Sequence, residues 1–591
     1  MTTLIHITHE AREKMGGIGA VLEGLLTARA YQAAAERTIL LGNAEIPLSD
    51  PPADLETVLY QTGDALPRQA SVNPCLLEAF ARIEATYGVR ILYGRRAVAG
   101  PLQTRRARAE LVLLDVQDAR ADPVNRLKGE LWEAYGLQSN RFEDNWGYEE
   151  WVRVAGPALE IVEAFLEGCT ETGVLIGHEF MGLPTLLAAR LRLPGLRTVY
   201  WAHEVPPVRD LIEKRTSHRL VFDLAMKSRT GRRSYEAMLR EGGGFKHALV
   251  SRAHRAHHIF AVSDRVACEL LLLDPAFRRT PIEVVYNGLP GRPIDLEMRM
   301  RSRNLLRQYV EALLGFRPDY VFTHVARPVA SKSLERDLWV LEHLDDILAE
   351  RDRTAALVVL ATDGGRRPGD LVRRMETEYG WPLHHRVGWP DLVKGEVAFG
   401  QAVEGYNRWA RATRAVLINQ FGLSRECCGD RVPEELLFQD LRQGSDVEFG
   451  QSAYEPFGIA PLETLAFGGI SVISTACGCA PFLTRVSGDA LPENVLLVEY
   501  VAPAGAEADS MSDAETERIE HEIAARLAAR LADRLPTGRE ALARLLESGW
   551  ELTQKMSWEV VARDYLLPAL QRCLGQKDRT HPAATLRRAR S

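Results

Sequence analysis

At 591 residues the chain exceeds what one hydrophobic core supports, which points to two domains of roughly 250 residues plus a tail. Hydrophobic residues make up 46% and charged residues 26%, a balance that argues against a disordered or membrane-embedded chain. A formal charge of −7 gives no general attraction to nucleic acid or anionic lipid.

The start, MTTLIHITHE, runs directly into a strand-like segment without a basic flank, and no later apolar run reaches spanning length. A cytoplasmic location is expected. Next comes HEAREKMGGIGAVLEGLL, with Lys14, Gly16, Gly17 and Gly19 between the first strand and the first helix. Glycines there let backbone N–H groups approach a phosphate, and Lys14 adds charge. The spacing is neither G-x-G-x-x-G nor that of a P-loop, which disfavours a dehydrogenase or an ATP site.

Short apolar runs, TLIHI, RTILLG, VLIG, RTVYWAH, HHIFAVS and IEVVYNG, alternate with helical patterns such as GLPTLLAARLRL. This is the signature of a parallel sheet covered by helices on both faces. His254-x-x-His257-His258 is expected on a helix as a solvated or packed cluster, lacking a third ligand for a metal. After Asn287-Gly288 a linker and entry helix lead to a second set of strands: YVFTHVAR, ALVVLAT, AVLINQ, SDVEFGQS, ISVIST and VLLVEY. Two similar sheets are therefore expected, with divisions at 1–288, 289–549, a helix over 550–575 and a disordered basic tail over 576–591. Residues 503–511 read as a loop, and Ser512-x-x-Glu515 as a capping box opening the next helix. The eight cysteines, including Cys427-Cys428 and Cys477-x-Cys479, lack paired metal spacing and read as buried or incidental thiols.

In HVARPVASKS, Arg327 and Lys332 follow a strand, where two cations can neutralise a diphosphate leaving group. In YEPFGIAPLE, Pro456 and Gly458 forbid a regular helix, placing Glu455 in a loop. Pro461 suits a first helical turn, which would carry Glu463. Carboxylates beside a phosphate-binding strand end suit sugar hydroxyls, so acids and cations together suggest a nucleotide sugar. Either pair alone would be an ordinary solvated one.

The pieces KMGGIGAVL, GHEF, WAHEVPPVR, FAVSDRV, VVYNGL, Arg327-x4-Lys332, YEPFGIAPLE and MSWEVVARDYL occur in the order seen in retaining glycosyltransferases of the GT-B fold. The chain resembles glycogen and starch synthases. EAREKMGGI, VRILYGRRAVAG, LKGELWEAYG and HEFMGLPTLLAARLRLP look closest to the animal and fungal glycogen synthases. The resemblance implies two Rossmann-like, doubly wound α/β domains facing a central cleft, the first on the acceptor side and the second binding the donor. The C-terminal helix, with Trp558 and Tyr565 as core residues, would cross back to the first domain.

By the same resemblance Glu455 contacts the donor hexose, Glu463 the ribose hydroxyls, and Arg327 and Lys332 clamp the diphosphate. Lys14, Gly16 and Gly17 form the loop that reaches the donor when the domains close. Gly458 and Arg209 join the donor-binding set, His203 lies near the reacting sugar, and His178-Glu179 match the family's HE or HD pair at a strand end. The implied reaction retains the anomeric configuration, with the departing phosphate helping to deprotonate the acceptor. UDP-glucose or ADP-glucose is the expected donor, a glycan or small sugar the acceptor, with no separate cofactor and no nucleic-acid partner. Homo-oligomerisation stays open. No D-x-D motif occurs, which favours metal-independent transfer. TACGCAPF replaces the family's glycine-rich turn, GRRAVAG lacks its tryptophan, and no arginine cluster precedes Trp558. Region 365–450 fits poorly and is expected to shape acceptor choice. The alternatives are a transferase making a small glycoside or glycosyl phosphate, and a non-catalytic glycan-binding relative.

Overall fold

The computed structural model describes residues 2–575 apart from 45–47, 49–51, 64–71, 104, 168–171, 228–232, 234, 240–243, 504–505 and 507–510. The expected basic tail over 576–591, and most of the expected loop over 503–511, lie outside the described residues. The chain divides into two compact units. One gathers the described residues of Met1–Val208, Glu236–Gly288 and Trp558–Ser591; the other those of Arg209–Tyr235 and Leu289–Ser557.

The first unit is built on β1 (Thr2–Ile7), β2 (Ala35–Asn43), β3 (Leu55–Gln61), β4 (Arg90–Ala99), β5 (Arg106–Asp115), β6 (Thr172–His178), β7 (Arg197–Ala202), β8 (His258–Ala261) and β9 (Ile282–Val284). Their order in the sheet is β3-β4-β5-β2-β1-β6-β7-β8-β9. Only β4 runs against the others, pairing antiparallel with β3 and β5. The remaining pairs are parallel, and β1 at the centre is a nearly continuous buried run, as a strand covered on both faces must be. The expected helical histidine cluster is not helical: His254 lies in a single 3-10 turn and His258 inside β8. Trp558 fills space against Gly24 and Gly288, where a Cβ would collide with its ring, and Tyr565 stacks edge-on against Tyr286 at 5.1 Å.

In the second unit β10 (Tyr320–Val325), β11 (Ala355–Leu360), β12 (Thr413–Ile418), β13 (Val447–Gly450), β14 (Ile470–Ser474) and β15 (Val495–Val498) make a wholly parallel sheet, ordered β12-β11-β10-β13-β14-β15. Strand periodicity sends alternate residues to opposite cores. Ala355, Leu357 and Val359 join Phe322, Leu417 and Phe449 on one face; Ala356, Val358 and Leu360 join Val321 and Val416 on the other. Burying five such aliphatic side chains contributes on the order of 10 kcal/mol before chain entropy is counted. Helix Asp513–Ala532 covers the first face and begins where Ser512 Oγ accepts from Glu515 N at 3.2 Å.

Two expected divisions shift. Residues 209–235, read as part of a block over 1–288, supply Leu220 and Val221 to the second unit's core. The C-terminal return begins at Trp558 rather than 550, because helix Arg539–Lys555 packs in the second unit, its Leu545 joining that core.

Candidate active site

The second unit brings its predicted residues to the carboxyl ends of β10, β13 and β14. Tyr454 N donates to the Ser331 carbonyl oxygen at 3.1 Å, tying the loop after β13 to the 3-10 turn Ala330–Lys332. That backbone contact sets Lys332 Nζ against Glu455 Oε2 in an ion pair, both side chains mostly buried. Gly458 has φ +93, and a Cβ there would lie 3.0 Å from Glu455 Cγ, so only glycine fits the turn that aims the carboxylate. Arg209 joins this wall, its guanidinium 5.7 Å from the ring centroid of Tyr454.

TACGCAPF supplies the other side of the Glu455 loop. Glu455 bridges Cys477, Gly478 N donates to Glu455 O at 2.9 Å, and Cys479 N to Phe457 O at 2.8 Å. Cys427, Cys428, Cys477 and Cys479 are buried free thiols. Among the described residues no group of three His, Cys, Asp or Glu side chains is arranged as a metal site.

The segment carrying Glu463 differs from expectation. Instead of an α-helix starting at Pro461 there are two single 3-10 turns, Ala460–Leu462 and Leu465–Phe467, with Glu463 between them. Gly468 at φ +80 ends the second turn, leaving too few residues for an α-helical ladder. Pro461 seats against Gly450 on β13, where a Cβ would come within 2.4 Å of the proline ring. Glu463 Oε2 lies 2.8 Å from Arg442 Nη2, and Arg442 Nη1 lies 2.9 Å from Glu448 Oε1. Burial works against the Arg442 charge, but Glu448 and Glu463 outweigh it and raise its pKa. Glu448 also accepts from Val325 N at 3.1 Å and from Thr323 Oγ1, so this network fixes the end of β10 from which Arg327 emerges. Nothing in the motif YEPFGIAPLE points to Arg442.

Arg327 is exposed and, with Lys332, lines a cavity of about 440 Å³. Leu360, Thr362, Gln420, Phe421, Gly422 and Phe438 also line it. Region 365–450, expected to shape acceptor choice, supplies four of these residues. Its interior is a packed polar core in which buried Arg367 pairs with Glu396 at 2.6 Å and Asn419 donates to both Asp391 and Glu396.

In the first unit the glycine loop is ordered from within. Met15 N and Gly16 N donate to Glu10 Oε2 at 2.8 and 2.6 Å, so the amides expected to meet a phosphate hold a carboxylate. A Cβ on Gly19 would fall 2.5 Å from the same oxygen. Gly17 opens helix Gly17–Leu26 with open space beside its Cα, and Lys14 pairs with Glu23 at 2.7 Å while half exposed. Glu10 is the residue the motif reading missed, although it stands inside HEAREKMGG.

His203 follows β7. Its ring lies 2.8 Å from His178, and the two stack beside Trp201. Burial lowers the His203 pKa to about 3. Glu179, a non-glycine residue at φ +56, directs Oε1 at the amides of His203 and Glu204 at 2.5 and 2.6 Å. Holding that backbone costs about 1 kcal/mol, offset by two charge-assisted hydrogen bonds. The His178-Glu179 pair thus positions His203 by its ring and its backbone together.

No protein-family model matches the chain, and no curated protein matches it significantly in sequence. Solved structures do match in fold. The catalytic domain of starch synthase IV from Arabidopsis thaliana, bound to ADP and acarbose, aligns with TM-score 0.52 and 14% identity over 97% of this chain and 99% of that one. An α,α-trehalose-phosphate synthase (UDP-forming) from Burkholderia vietnamiensis aligns at 0.50 and 13%, over 97% and 98%. One from Burkholderia xenovorans, in complex with glucose-6-phosphate, aligns at 0.50 and 11%, over 96% and 99%. The fold is the two-sheet GT-B architecture of these glycosyltransferases. Among the described residues no helix is long and apolar enough to cross a membrane.

Proposed function

We propose that the chain is a retaining glycosyltransferase that moves a hexose, glucose first among candidates, from a nucleoside diphosphate sugar to a glycan, in the manner of a glycogen or starch synthase. The observation that carries this reading is the Lys332–Glu455 ion pair beside Arg327, at the edge of the 440 Å³ cavity. An ammonium has three N–H donors, and Glu455 occupies one, leaving two for phosphate oxygens. Arg327 and Lys332 then neutralise the departing diphosphate. Glu455 orients the hexose and stabilises the positive charge that develops at its anomeric carbon. Phe421 and Phe438 in the cavity wall supply aromatic surface for a nucleobase, and Glu463, fixed by Arg442, is left to accept from ribose hydroxyls.

A departing phosphate oxygen takes the acceptor's proton, so the charge change is met by fixed side chains and no separate cofactor enters this reading. It assigns donor binding to Lys14, Gly16, Gly17, Arg209, Gly458 and Glu463, and transfer to Glu455, His203, Arg327 and Lys332. The kinship with glycogen synthases and a cytoplasmic setting belong to the same proposal.

The test is nucleotide release from a panel of UDP-, ADP- and GDP-sugars with chelator present. If the wild-type protein neither transfers nor hydrolyses any donor, the reading fails. Product size by mass spectrometry separates a polymer from a small glycoside or glycosyl phosphate, and the anomeric proton coupling of the product reports retention.

A further inference from the structure

Beneath His203 the first unit holds an unbroken row of hydrogen-bonding side chains. His203 Nε2 lies 2.8 Å from His178 Nδ1, and His178 Nε2 lies 2.9 Å from His6 Nδ1. His6 Nε2 is 3.2 Å from Tyr31 Oη, which is 3.1 Å from Thr38 Oγ1. The row crosses neighbouring strands: Thr38 stands on β2, His6 on β1, His178 at the end of β6, and His203 just past β7. His6, His178 and Tyr31 are buried.

A neutral imidazole has one N–H and one bare nitrogen. Burial lowers the pKa of His6 and of His203 to about 3, and burial followed by the neighbouring His203 and His6 lowers that of His178 well below its usual value. Near neutral pH all three rings are therefore uncharged, and their N–H groups must all point the same way along the row. Tyr31 decides the direction. A phenol is a stronger donor than an imidazole N–H, and Thr38 can donate to the phenol oxygen in turn. When Tyr31 Oη–H donates to His6 Nε2, His6 Nδ1–H must donate to His178 Nε2, and His178 Nδ1–H to His203 Nε2.

We propose that Tyr31, His6 and His178 are positioning residues that fix the tautomer of His203, so that it carries its proton on Nδ1 and presents a neutral donor to a hydroxyl oxygen of the bound sugar. The sugar in that statement rests on the glycosyltransferase reading; the tautomer does not.

The experiment is long-range proton–nitrogen correlation NMR on the full chain labelled with ¹⁵N-histidine, with His203 assigned by the signal that His203→Gln removes. The wild type should show His203 protonated at Nδ1 and bare at Nε2. Tyr31→Phe deletes only the phenol oxygen and should shift His203 toward the Nε2 tautomer, with kcat for hexose transfer lower by about tenfold. Thr38→Val leaves Tyr31 free to donate and should keep the wild-type tautomer. Wild-type His203 protonated at Nε2, an unchanged tautomer in Tyr31→Phe, or an equal change in Thr38→Val would each overturn the proposal. Should no nucleotide sugar be turned over while the tautomer behaves as described, the relay stands and only the transfer reading falls.

Discussion

Glu10 Oε2 accepts from the backbone amide of Gly16 at 2.6 Å, and from that of Met15 at 2.8 Å, so the glycine loop of the first unit is shaped by its own buried carboxylate. Two charge-assisted hydrogen bonds to a carboxylate on a residue only 3% exposed should contribute roughly 2–3 kcal/mol to holding that loop. Glu10→Gln keeps the shape of the side chain but lacks the charge. We expect a lower unfolding midpoint in urea and a higher KM for the donor. A variant with wild-type stability and kinetics would show that the carboxylate does not organise the loop.

Lys332 and Glu455 depend on each other, since removing either leaves a partly buried partner unmatched. Lys332→Ala and Glu455→Ala should each reduce nucleotide release by at least 10²-fold. Their double variant should be little worse than either single one. The check is a kinetic double-mutant cycle; strictly multiplicative losses would mean the two side chains act independently.

Arg442 separates structure from binding at the second carboxylate. Arg442→Leu strands Glu448, which is 0% exposed, and should destabilise the fold by about 3–5 kcal/mol. Glu463→Gln changes only the partner of that network whose side chain is 25% exposed. It should leave thermal stability within about 1 kcal/mol of wild type while raising donor KM. Equal losses of stability in the two variants would contradict this division of labour.

The buried histidines give acid sensitivity a definite sign. Their folded pKa values lie below the unfolded value of 6.5, so the unfolded state binds more protons as pH falls below 6.5. Stability should therefore decline as pH drops from about 6.5 to 5, before most carboxylates titrate, by up to about 1.4 kcal/mol per pH unit for each histidine. His6→Phe should flatten that decline. Urea midpoints measured between pH 7 and 5 decide the matter, and parallel pH profiles for wild type and His6→Phe would refute it.

Much of the fold was legible because parallel strands covered on both faces must be apolar throughout. TLIHI, ALVVLAT and ISVIST became β1, β11 and β14 for that reason. The segments RILYGRRAVA and RARAELVLLD went unread as β4 and β5. They belong to the antiparallel margin of the first sheet, where charged residues alternate with apolar ones and blur the pattern. Residues 209–235 were read with the 1–288 block because chain order carries no information about which core Leu220 joins.

The sequence by itself determined the local chemistry: a glycine-rich turn after the first strand, two cations five residues apart, and two acids held apart by Pro456, Gly458 and Pro461. These are short-range features, set by backbone freedom and spacing. Only the tertiary structure decided who faces whom. Arg442 reaches Glu463 and Glu448, Glu10 closes on Gly16, and Tyr31 meets His6, which meets His178. The physical reason is that a buried polar group must find a partner wherever packing brings one, and in a parallel sheet that partner comes from a neighbouring strand distant in sequence.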